Sequence, residues 1–218
     1  MMRFVFLVVT LASICGVTAS QFQNCNPSGT FESYVSSQML AFKRNLDATG
    51  TVVLTWNLTE SGALHARMIN NGRVGWMGIG IRNQGGRYNG MLGASVLIAA
   101  LNDNSFTNAT VNEFKIDSSS TDFKDWNTPL STSSSLTSKE FSNIDCFSKL
   151  EFVTSHIGGL ALSTTAGIAN DFIWAVHSTS WEVEYHDKRG ITNVDLSTGN
   201  SANRFIASIF LLFMALHI

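Results

Sequence analysis

The side chains able to ligate a metal or act as nucleophiles are few in this chain of 218 residues, which has five histidines, three cysteines and seven methionines. His65, His156, His177 and His186 are scattered and His217 sits in the terminal apolar tail, so no two have the short spacing of a zinc site. A zinc centre would need distant strands to converge. No Gly-x-Ser-x-Gly, His-Glu-x-x-His, phosphate-binding loop or Cys-x-x-Cys occurs. Gly78-Ile79-Gly80 begins a Gly-x-Gly but is followed by Asn83 where a third glycine is required. Hydrolase and nucleotide-binding chemistry therefore lose their usual sequence support.

The cysteines point to a compartment. Arg3, an apolar run from Phe4 to Ile14 and the small residues Gly16-Val17-Thr18-Ala19-Ser20 have the layout of a secretory signal peptide, residues 1–20, cut after Ala19 or Ser20. Cys15 leaves with it, so Cys25 and Cys146 remain and can form one disulfide, closing a long loop in an oxidising lumen. Asn57-Leu58-Thr59 and Asn108-Ala109-Thr110 are glycosylation sequons, Asn108 in the more turn-like stretch. At the other end, residues 200–218 form a hydrophobic C-terminal tail. Small residues at Gly199, Asn200 and Ser201 followed by Phe205 to Ile218 resemble a GPI-attachment signal, although the polar spacer is shorter than the roughly 8–12 residues usual for one. A core helix or a loose terminus is the alternative.

Composition limits the rest. With 44% hydrophobic, 11% aromatic and 14% charged residues the chain can bury one sizeable core, between residues 21 and 199. A formal charge of −2 without a basic run argues against nucleic acid. Membrane association is expected only through a lipid anchor.

The elements that must position any site read as strands. Val52, Leu54, Trp56 and Leu58 alternate with Val53, Thr55 and Asn57. After the turn at Glu60-Ser61-Gly62, Leu64, Ala66 and Met68 alternate with His65, Arg67 and Ile69, which predicts a hairpin ended by Asn70-Asn71-Gly72. Gly75 to Ile81 predicts a third strand, its glycines marking the close approach of another backbone or a ligand. Ser95–Leu101, Val111–Ile116, Leu150–Val153, Phe172–Val176 and Ile191–Leu196 follow, with Ser118–Thr121 and Ser131–Ser138 as exposed loops. Some eight short strands and no helical periodicity predict an all-β fold, an antiparallel β-sandwich.

Three blocks carry a family resemblance: Gly75-Trp76-Met77-Gly78-Ile79-Gly80, Gly90-Met91-Leu92-Gly93 running into Ala94-Ser95-Val96, and Tyr185-His186-Asp187-Lys188-Arg189-Gly190 running into Val194-Asp195-Leu196. Together they resemble a DOMON domain, the extracytoplasmic immunoglobulin-like sandwich named from dopamine β-monooxygenase. The resemblance implies haem b or a sugar as ligand. In haem-binding members one methionine and one histidine hold the iron, which carries over to Met91 and His186, with His177 and Met77 as substitutes. Tyr185 and Arg189 would pack the ring and pair a propionate; a structural role for Arg189 and Gly190, the latter as a bulge, is the alternative. The implied role is one-electron transfer without independent catalysis, between a small reductant and a separate redox protein. A haem-free module that stacks carbohydrate on Trp76, Trp174 or Trp181, or an adhesion domain without small ligand, stands beside it.

Overall fold

The computed structural model describes residues 25–82, 93–102, 109–116, 135–178 and 186–198. The signal peptide, the hydrophobic tail, Met91, Asn108, Trp181 and Tyr185 lie outside them.

Alternation of apolar residues builds two five-stranded antiparallel sheets. One contains β1 (Phe42–Asn45), β2 (Val52–Leu58), β3 (Leu64–Asn71), β7 (Ser138–Ile144) and β8 (Phe147–Thr154), in the order β1-β2-β3-β8-β7. The other contains β4 (Trp76–Ile81), β5 (Ser95–Leu101), β6 (Ala109–Lys115), β11 (Asn170–His177) and β12 (Lys188–Val194), in the order β12-β11-β4-β5-β6. A small ribbon, β9 (His156–Ile157) with β10 (Leu160–Ala161), contributes Ile157 to the core. The fold is thus an antiparallel β-sandwich.

Leu54, Trp56, Met68 and Phe152 of the first sheet meet Met77, Ile79, Leu97 and Phe172 of the second, all essentially buried. Burying each such side chain is worth about 1.5–3 kcal/mol. Trp56 fastens the layers directly, its Nε1 donating to the Leu196 carbonyl at 3.1 Å.

The hairpin β2–β3 forms as expected, with Leu54 opposite Met68 and Trp56 opposite Ala66. The next strand does not extend it. After Gly72, at φ +117°, the chain crosses to the other layer, and β4 pairs with β5 and β11. Other expectations shift. A seven-residue helix, α1 (Phe31–Ser37), is present; Thr30 caps it by accepting from the Ser33 N–H at 3.2 Å, and Val35 is buried against Val53 and Ile69 on the outer face of the first sheet. Ser138 is not loop but the start of β7. The last strand begins at Lys188, three residues before the expected Ile191, and places Gly190 in unbroken register opposite Trp174, so Gly190 makes no bulge.

The bond between Cys25 and Cys146, with Cα atoms 5.5 Å apart, fixes the N-terminal segment to the turn joining β7 and β8. Asp145 and Cys146 both have positive φ, 54° and 71°, the twist a two-residue hairpin turn requires.

Candidate functional site

The outer face of the second sheet departs from the usual pattern. An antiparallel sheet packed on one side ordinarily presents polar residues on the other, yet here Ala94, Val96, Phe114, Ile116 and Ile173 form a second buried apolar cluster with Ile98 against it. Every member comes from this sheet and its flanking residues. Between these side chains β4 contributes Gly78 and Gly80. A Cβ at Gly80 would stand 2.8 Å from Val96 Cα, so the glycine is demanded by the close approach of β5, one of the two causes the sequence allowed.

At one end of this face, where β11 finishes and β12 begins, four nitrogen-bearing side chains gather. His186 is 6% exposed, and Arg189 Nη1 lies 3.3 Å from its Nε2. Burial, reinforced by the Arg189 and His177 charges, pushes the imidazole below its ordinary pKa and favours the neutral ring, the form that ligates metals. The chain is held there by the Asp187 N–H, which donates to the Val176 carbonyl at 2.9 Å. The Asp187 carboxylate accepts from the Ser178 N–H at 2.7 Å and from the Ser178 hydroxyl, and stands 3.7 Å from His177 Nε2. Although burial acts to raise its pKa, those hydrogen bonds outweigh it and keep the carboxylate ionised. His177 lies over Trp76, ring centroids 6.3 Å apart.

His186 and His177, the two candidate histidines, are therefore neighbours. Met91 lies outside the described residues, but its flanks are fixed. Arg82 and Gly93 stand at the opposite end of the sheet, where Ile81, Ser95 and Phe172 share a row, whereas Trp76, Ala100 and His177 share the row at the His186 end. At roughly 3.3 Å per residue the two rows are about 17 Å apart. Met77, the substitute, is fully buried between the sheets, facing away from both histidines.

Trp76 and Trp174 are 3% and 5% exposed and offer no face to a sugar. Trp174 packs in the core across Gly190, where a Cβ would meet its indole at 2.7 Å. Asn57 is half-buried on β2, opposite His65.

Other features escaped the sequence. Glu151 is bound by three nitrogen-bearing partners on the outer face of the first sheet: His65 at 2.8 Å, Arg67 at 2.9 Å and Lys149 at 2.8 Å. Burial would raise its pKa, but the hydrogen bonds from Arg67, Lys149 and His65 prevail and hold it at about 2. His65-x-Arg67 and Lys149-x-Glu151 alternate on one strand face each, a visible signal once β3 and β8 are known to pair. An open cleft of about 270 Å³ lies at the Arg82 end, lined by Ile81, Leu160, Ile168 and the Arg82–Asp171 ion pair at 3.5 Å. It is smaller than most small-molecule pockets, roughly 300–1,000 Å³. Among the described residues no group of three or more His, Cys, Asp or Glu is placed to hold a metal ion, and no helix is long and apolar enough to cross a membrane.

No family model matches the chain, and no curated protein matches it significantly. Among solved structures it is similar to the cytochrome b domain of pyranose dehydrogenase from Coprinopsis cinerea, at 14% identity and a TM-score of 0.49, over 83% of this chain and 94% of that one.

Proposed function

We propose that this chain is a secreted or surface-anchored DOMON-type module that binds haem b through Met91 and His186 and passes single electrons without catalysing a reaction of its own. The observation that carries this reading is His186: a buried imidazole, kept neutral, at the edge of an apolar outer sheet face. Such a face suits a flat macrocycle, and the neutral ring supplies the ligand lone pair. Held by the Met91 thioether and the His186 imidazole, the haem would supply outer-sphere one-electron transfer.

The chain's own residues set the surroundings. Asp187 and Ser178 fix the backbone beside His186, and Arg189, within reach of the imidazole, must yield Nε2 to a metal. The disulfide supports an oxidising compartment, and glycosylation at Asn57 and Asn108 belongs to the same proposal. The carbohydrate alternative retains only Trp181 of its stacking residues.

Expression of the full coding sequence with haem supplied tests it. Protein is collected from the medium, or from cells after phosphatidylinositol-specific lipase, and its absorption is recorded from 350 to 600 nm before and after dithionite. A sharp Soret band with resolved α and β bands on reduction is expected, and Met91→Ala and His186→Ala each abolish the low-spin spectrum. A colourless folded protein would end the haem reading; low-spin haem retained in both variants would end the ligand assignment.

A further inference from the structure

The indole N–H of Trp76 is buried and has no hydrogen-bond partner, although the residue is only 3% exposed. Leaving a donor unsatisfied in the interior costs free energy, so such a group in a folded protein calls for an explanation. Trp76 stands on the outer face of the second sheet, since its neighbours Met77 and Ile79 point into the sandwich core or alternate with residues that do. It shares a row with His177 and lies against its ring, and His177 in turn acts electrostatically on His186. Among the described residues, the side chains beside it that can donate are His177 and, next to His186, Arg189. Among the described residues the acid there is Asp187, which is engaged by Ser178 and faces His177.

An orphan donor in donor-rich surroundings lacks an acceptor. We propose that Trp76 Nε1–H is a ligand-binding donor, and that it receives a carboxylate of the group bound beside His186. This rests on the haem reading, which makes that carboxylate a propionate. The ligand class is thereby narrowed to macrocycles bearing a free acid. Trp76 accordingly selects among porphyrins in a way that neither an apolar face nor an axial ligand can.

The test titrates haem-free protein with protohaem and with its dimethyl ester, which keeps the ring and iron and removes the anions. Wild type is expected to prefer the free acid by roughly tenfold or more, the usual worth of a hydrogen bond to a charged group. Trp76→Phe keeps an aromatic ring, loses the N–H and is expected to lose most of that preference while retaining ester affinity. A preference unchanged in the variant, or absent in wild type, overturns the assignment while leaving haem binding intact. A wild type that binds neither porphyrin overturns the haem reading and this inference with it. Should Trp76→Phe not fold, ultraviolet resonance Raman of wild type decides: an indole band must move toward stronger N–H hydrogen bonding with the acid and stay in place with the ester.

Discussion

Glu151 shows how much a single residue can be asked to hold. Its carboxylate satisfies His65, Arg67 and Lys149 at once, which tie β3 to β8 on the face that α1 also covers. Because its folded pKa is about 2 against an ordinary 4.5, the group favours the folded state above pH 4.5, and that contribution disappears as pH falls toward 2. Glu151→Gln should cost about 1–2 kcal/mol at pH 7, allowing for solvent screening. It should also flatten the acid limb of the stability curve, measured by urea midpoints from pH 7 to pH 2. A variant with the same acid slope as wild type would mean the cations have other partners of equal strength. His186 is a different case. Its burial could not be read from the sequence, because Asp187, Lys188 and Arg189 follow it and are all exposed.

The elements that were legible are those whose side chains alternate strictly. β2 and β3 sort Leu54, Trp56, Ala66 and Met68 to one face, and period 2 registers this directly. α1 escaped because seven residues are two turns, too few for a helical period to stand out, and only Val35 is fully buried. β7 escaped because, as an edge strand, Ser-Lys-Glu-Phe-Ser-Asn-Ile packs little beyond Phe141. The crossing after Gly72 was hidden for another reason: which layer a strand joins is decided by partners about a hundred residues away. Of the candidate site, the histidine and glycine blocks were visible, whereas the orphan Trp76 N–H needed coordinates. The disulfide gives the helix its anchor. Phe31 and Tyr34 rest on Phe147 at 5.5 and 4.8 Å, one residue from Cys146. Replacing Cys25 and Cys146 by serine should lower stability by about 2–5 kcal/mol, and hydrogen exchange should quicken in α1 before it does in β3 and β8. Equal protection of α1 in wild type and variant would show that the helix needs no tether.

At the scale of the whole molecule, each sheet mixes strands from both halves of the chain. β3 is paired by β8 and β4 by β11, so neither layer is complete without late residues. Loss of one layer therefore removes the inner wall of the other, and tryptophan fluorescence and far-ultraviolet circular dichroism should report one coincident denaturant transition. Two separated midpoints would mean that one sheet persists alone. The same connectivity bears on biosynthesis. A nascent chain emerging through about residue 145 can already pair β3 with β2 and β4 with β5, but leaves the other edge of each open until β8 and β11 are made, a high-contact-order topology that folds slowly. If the Asn57 sequon is used, the half-burial of Asn57 in the completed sandwich would favour its modification before β8 closes that sheet. Timing, more than final exposure, would then govern which sequon is used.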